Sequence, residues 1–143
     1  MMDKGQEYLI SDLVPHSGTM SLLTRVKGHG ADWLEAEVDI HESTVFIEEQ
    51  GLPSWIGLEY MAQAIAAYAG LEQKELGKEP KLGFLLGTRR YAVDKEWFSL
   101  GDTLSIKVVC EMVAENGLHV FEAKLTSPKV TASARLNVFQ PDN

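Results

Sequence analysis

The feature that most limits how this chain can fold is the run from Trp55 to Leu71, WIGLEYMAQAIAAYAGL, which carries only two strongly polar side chains, Glu59 and Gln63. Its alanines, leucines and methionine are good helix formers. A helix that is apolar on nearly every side is the pattern of one enclosed by other structure rather than lying on a surface. Glu72, Gln73 and Lys74 end the apolar run. Pro53 and Ser54 open it, with Ser54 well suited to act as N-cap.

Strands elsewhere in the chain can supply the enclosure. Trp33 to Ile40, WLEAEVDI, alternates apolar and acidic residues with a period of two, which predicts a strand with one wet face. Beyond the helix, Thr103 to Glu115 and Leu118 to Thr126 flank Asn116-Gly117, a strong signal for a two-residue hairpin turn. Val130 to Phe139 alternates again after Ser127-Pro128. One early apolar helix followed by hairpin-linked strands describes an α+β domain whose antiparallel sheet curls around the helix. With 143 residues, no repeat and no linker, the chain is expected to form a single domain over 1–143. The first residues, MMDKGQEY, contain no apolar stretch of the kind a leader needs, and the longest apolar run is broken by Glu59, Gln63 and glycines. A cytoplasmic chain without a membrane span is expected.

The net charge of −8 disfavours nucleic acid as a partner, since phosphate binding needs concentrated lysine and arginine. Basic charge gathers in one place: Lys78, Lys81, Arg89, Arg90 and Lys95 stand against only Glu79 and Asp94, a patch suited either to an acidic partner or to solvent. Cys110 is alone, in the run IKVVCEMV, and is expected to be a buried, inert thiol. His29 and His119 are expected to be surface or strand residues without partners, while His16 and His41 precede loops. The histidine spacing matches no metal motif, so neither metal nor cofactor is implied.

Two features bear on chemistry. Glu59 and Gln63 share a helix face at i, i+4 spacing, and a carboxylate enclosed by apolar residues holds its proton more tightly, as a general acid must. The same pair also suits a structural role, with the acid favoured by the helix dipole and hydrogen-bonded to Gln63. The first amides of the helix, around Ser54, Trp55 and Gly57, lack intrahelical acceptors and can hold a carbonyl oxygen that gains charge. Gly57 weakens the helix relative to alanine and signals a close approach, by a ligand or by another strand.

Three segments together resemble the β-hydroxyacyl-carrier-protein dehydratases. They are LVPHSGTMSLLTRV from Leu13 to Val26, LPSWIGLEYMAQA from Leu52 to Ala64, and GFLLGTRRY followed by FSLGDTLSIKV. The patterns around Leu-Pro-x-Trp-x-Gly-x-Glu-Tyr-Met-Ala-Gln and Gly-Phe-Leu-Leu-Gly are most similar to dehydratase-like proteins of aryl polyene synthesis. The resemblance implies a hotdog fold, an antiparallel sheet wrapped around one long helix. It implies removal of water from 3-hydroxyacyl thioesters on an acyl carrier protein, in fatty-acid or aryl-polyene-type chain synthesis. It places Glu59 on the catalytic acid, Ser54 and Trp55 where amides hold the thioester carbonyl, and Gln63 on a residue that orients the acid. It also implies a dimer, with itself or with a related dehydratase.

The sequence departs from that family at its catalytic histidine. Counting fourteen residues back from the acid lands on Val45, and aligning from VDIHES lands near Glu48. An elimination needs a base for the C2 proton as well as an acid for the departing hydroxyl. His16 is the first candidate for that base, with His41 and Glu48 behind it. The alternatives are a subunit with little activity that pairs with an active dehydratase and presents Arg89 and Arg90 to the carrier protein, and a hotdog thioesterase in which Glu59 activates water.

Overall fold

A computed structural model describes residues 22–75, 77 and 84–139. Its main layer is a six-stranded antiparallel sheet in the order β1-β2-β6-β7-β8-β4. These strands are β1 (Arg25–His29), β2 (Trp33–Asp39), β4 (Phe84–Val93), β6 (Thr103–Val113), β7 (Leu118–Thr126) and β8 (Thr131–Phe139). A two-stranded ribbon joins β3 (Leu52–Pro53) to β5 (Trp97–Phe98). The one long helix among the described residues, α1 (Ile56–Glu75), packs against β2, β6, β7 and β8. This is the expected α+β hotdog arrangement.

The period-two alternation decides which face the sheet turns to the helix. Leu34, Ala36 and Val38 of β2, Leu104, Ile106 and Val108 of β6, and Ala134 and Leu136 of β8 are buried. Register lines them up across the strands, with Ala36 opposite Ile106, Val108 opposite Ala123 and Phe121 opposite Leu136. The helix answers with Ile56, Tyr60, Met61, Ala64, Ala67, Tyr68 and Leu71. Each large side chain so enclosed contributes about 1.5–3 kcal/mol relative to its exposed state. Tyr68 meets Phe121 edge-on at 5.6 Å and donates its hydroxyl to the Ala31 carbonyl at 2.7 Å, tying the helix to the β1–β2 turn. On the outer face Arg25 forks onto Asp39 at 2.8 and 2.9 Å and reaches Glu37 at 2.8 Å.

Local details differ from expectation in three places. The β6–β7 connection is not a two-residue turn. The Gly117 N–H donates to the Ala114 carbonyl and the Ala114 N–H to the Leu118 carbonyl, and only Gly117 takes positive φ, at 95°. That is a type I turn closed by a left-handed glycine, which needs one special residue where a primed two-residue turn needs two. His29 is buried in β1, and His119 is partnered: its ring lies parallel to that of Phe121 and its Nδ1 sits 2.9 Å from the Gly117 carbonyl. Cys110 is half-buried, and burial pushes its thiol pKa up, as an unreactive thiol requires. Among the described residues no helix is long and apolar enough to cross a membrane.

Candidate active site

The start of α1 is held by its neighbours on both sides. β3 pairs with β5, so that Leu52 faces Phe98 and Pro53 faces Trp97, and the Ser54 N–H donates to the Glu96 carbonyl at 2.9 Å. Ser54 is buried but does not cap the helix through its side chain. Its carbonyl does the work instead, accepting the Gly57 N–H at 3.1 Å and the Tyr91 hydroxyl of β4 at 2.6 Å. The Leu58 N–H follows, bonded to the Trp55 carbonyl at 3.3 Å.

These bonds decide which amides remain available. The N–H groups of Ser54 and Gly57 are both engaged, by the Glu96 and Ser54 carbonyls, so neither is a donor to a ligand, contrary to the expectation that placed them beside Trp55. The backbone N–H groups of Trp55 and Ile56 have no acceptor among the described residues. Both lie at the positive end of the helix, where a carbonyl oxygen gaining charge is stabilised. Gly57 has a different role: a Cβ there would collide with the Tyr91 hydroxyl oxygen, and would stand 3.2 Å from Leu125 Cδ1.

Glu59 follows one turn into the helix and is exposed in the single protomer, so the enclosure expected for it is missing. The reason lies in the helix itself. Leu58, Ala62, Gln63 and Ala66 are only partly buried and Trp55 is 60% exposed, which leaves a stripe that the sheet does not cover. Gln63 does not bond Glu59; its Oε1 accepts the Leu22 N–H at 2.7 Å. Among the described residues Glu59 has no hydrogen-bonding or ion-pairing partner, a histidine included.

The loop before β3 brings an aromatic side chain to the same place. Phe46 adopts φ of 74°, an uncommon state for a bulky residue, and sets its ring 6.1 Å from that of Trp55. Its neighbour Val45, on which the count of fourteen residues back from Glu59 lands, is 43% exposed. His41 is exposed and its Nδ1 accepts the Ser43 N–H, while Glu48 is exposed in a backbone bridge with Gly51. His16, Lys78 and Lys81 lie outside the described residues. Arg90 is exposed on β4, opposite Arg135, whose charge is met by Glu111 at 2.6 Å and Glu122 at 3.3 Å; Arg89 belongs to the same strand. Among the described residues no group of three or more potential ligands is placed to hold a metal ion. Tyr91 and Phe46 are the two participants that sequence reasoning missed.

The family model for ApeP-like proteins, described as ApeP dehydratase, matches residues 8–143. The chain is similar to a chain in the dehydratase heterocomplex ApeI:P from Xenorhabdus doucetiae, with 29% identity, a TM-score of 0.86, and coverage of 95% of this chain and 93% of that one. An uncharacterized protein from Pyrococcus horikoshii shares the fold at 13% identity and a TM-score of 0.67, covering 92% and 93%. So does a thioesterase from Haemophilus influenzae at 13% identity and a TM-score of 0.63, covering 95% and 92%. No curated protein matches the sequence.

Proposed function

The chain belongs to the ApeP-like dehydratase family, and from that premise we propose that it helps remove water from a 3-hydroxyacyl thioester on an acyl carrier protein, within a complex with a second, related dehydratase subunit. The extension chemistry served is of the fatty-acid or aryl-polyene type. The observation that carries this reading is the placement of Glu59 one turn beyond the amides of Trp55 and Ile56, which have no acceptor among the described residues, on a helix face open to solvent.

In this reaction the thioester carbonyl accepts hydrogen bonds from the two amides. Charge builds on that oxygen as a base removes the C2 proton. Glu59 then gives its proton to the C3 hydroxyl while the carbon–oxygen bond breaks, so that water leaves and a C2–C3 double bond remains. Gln63, bonded to the Leu22 backbone, lines the same helix face. The base is either His16 or a group of the partner subunit. A partner is supported by the open stripe and by the exposed Phe46–Trp55 pair, since apolar surface gathered around a reactive carboxylate calls for a cover. The resemblance to a chain of a dehydratase heterocomplex supports the same assignment. Arg89 and Arg90 serve to dock the acidic carrier protein.

A second reading follows from Val45 at the histidine position: a subunit of little activity whose contribution is to complete its partner. One experiment separates these outcomes. A 3-hydroxyacyl carrier protein is incubated with the chain alone and with a related dehydratase, and its mass is followed for wild type, Glu59→Gln and His16→Ala. Loss of water that slows about 10²–10⁴-fold in Glu59→Gln is expected, the usual range for removing a general acid. Equal turnover with and without Glu59, in both settings, would leave only the pairing role. Release of free acid would mark a thioesterase instead.

A further inference from the structure

We infer that Tyr91 is a positioning residue for the thioester-binding turn, aiming the Trp55 amide by holding the carbonyl on the other side of the same peptide bond. The inference rests on the dehydratase reading and adds a residue to it. A trans peptide is planar, with its N–H antiparallel to its C=O. Whatever fixes the Ser54 carbonyl therefore fixes the direction of the Trp55 N–H, one of the two amides at the helix start without an acceptor among the described residues. Tyr91 reaches that carbonyl from β4 at 2.6 Å, and the Gly57 N–H reaches it from the helix at 3.1 Å. Two donors converging on one oxygen constrain the peptide plane more than either alone.

The surroundings are built for this contact. Gly57 leaves the space that the phenol oxygen occupies, and a Cβ at that position would strike it. The Ser54 N–H is anchored separately to the Glu96 carbonyl, so the peptides before and after Ser54 are both held. Burial pushes the Tyr91 phenol up to about 12, which keeps it protonated and able to donate at neutral pH. The phenol remains at hydrogen-bonding distance from a backbone carbonyl and is not itself a proton donor to substrate in this arrangement. Its influence passes through the Trp55 amide.

Tyr91→Phe keeps the ring and removes the hydroxyl, and the Ser54 carbonyl keeps its bond from Gly57, so the variant folds. The test uses the chain in complex with its related dehydratase and a 3-hydroxybutyryl thioester on acyl carrier protein. The expected result is a roughly tenfold fall in kcat with KM nearly unchanged, smaller than the about 10²–10³-fold loss from deleting an oxyanion donor outright, because the amide is loosened rather than removed. A thermal-unfolding cycle supplies a second readout. Gly57→Ala lowers Tm in the wild-type background, and part of that loss disappears in Tyr91→Phe, where the colliding oxygen is absent while the ring Cζ at 3.3 Å and Leu125 Cδ1 at 3.2 Å remain. Wild-type turnover in Tyr91→Phe, or a raised KM with unchanged kcat, overturns the positioning role while leaving the dehydratase reading intact, provided Glu59→Gln abolishes turnover in the same assay. Undiminished turnover in Glu59→Gln overturns the dehydratase reading and the inference together. Equal Tm loss from Gly57→Ala in both backgrounds shows that the Tyr91 hydroxyl does not occupy the space over Gly57, and overturns the clamp on structural grounds.

Discussion

Replacing Phe46 by glycine separates what the ring does for the fold from what it does for a partner. In the left-handed region an L-residue is strained by about 1–2 kcal/mol, which glycine escapes at φ of 74°. Glycine returns about 0.5–1 kcal/mol of that through the greater freedom of the unfolded chain. The ring is 52% exposed, so the burial it loses is about half of the 1.5–3 kcal/mol of a fully enclosed side chain. The gains and losses nearly cancel, leaving a net change within about 1 kcal/mol of zero, or about 2–4 °C in Tm for a domain of this size. Affinity for a related dehydratase subunit should fall much further, by about 30-fold, because an exposed aromatic anchor at an interface is worth about 2 kcal/mol or more. Differential scanning calorimetry of the chain alone and titration with the partner measure the two quantities. A fall in Tm well above about 4 °C would mean the ring is part of the core. Unchanged partner affinity would refute the assignment of this loop to the interface.

Two other outcomes are expected. Arg89→Glu with Arg90→Glu should weaken carrier-protein docking by about tenfold at low salt, with the difference fading near 1 M salt, where the screening length is about 3 Å; equal affinities at low salt would remove the patch from the docking site. The Arg25 fork holds the Asp39 carboxyl below its ordinary value, so the pair's contribution is complete above that value, near 3.8, and is lost as pH falls beneath it. Both side chains are about one-third exposed, which limits the effect to less than about 1 kcal/mol; between pH 7 and pH 3 the wild type should lose more stability than Asp39→Asn, and parallel losses measured by urea unfolding would contradict this.

The sheet was legible because period two is a strong local signal wherever one face is wet. WLEAEVDI became β2 to within one residue, and the β6–β7–β8 meander followed its hairpin signals. The turn type was not, because Asn-Gly suits a primed turn and also supplies the lone left-handed glycine of a type I turn, and the choice lies with the register of the flanking strands. The helix was legible as a helix and misread as to its surroundings. All-round apolar character reports what the helix touches in its working state, including whatever covers Trp55, Glu59, Ala62 and Ala66, and a pattern of residues does not distinguish a sheet from another chain. Tyr91 and Phe46 left no local trace. Tyr91 meets Ser54 across 37 residues of sequence, and phenylalanine is among the residues least suited to positive φ. Gly57 was the one signal pointing toward Tyr91, since a glycine in a good helix former's place marks a close approach without naming what approaches.

Apart from the hairpin turn and the strand histidines, the departures from expectation lie in one region, and their clustering bears on how the site works. A strained loop, an exposed ring pair, an exposed carboxylate and two amides without an acceptor among the described residues occupy the same end of α1, while the opposite side of the helix is packed to completion. A chain selected only for its own stability gains nothing from Phe46 at positive φ or from Trp55 in water. Backbone strain of this kind clusters at active sites, ligand clamps and switch regions. Closing a related subunit over this end would bury the ring pair, exclude water around Glu59 and bring a base toward the amides in a single step. The enclosure that a general acid needs, and that one protomer withholds, would then arise only in the complex.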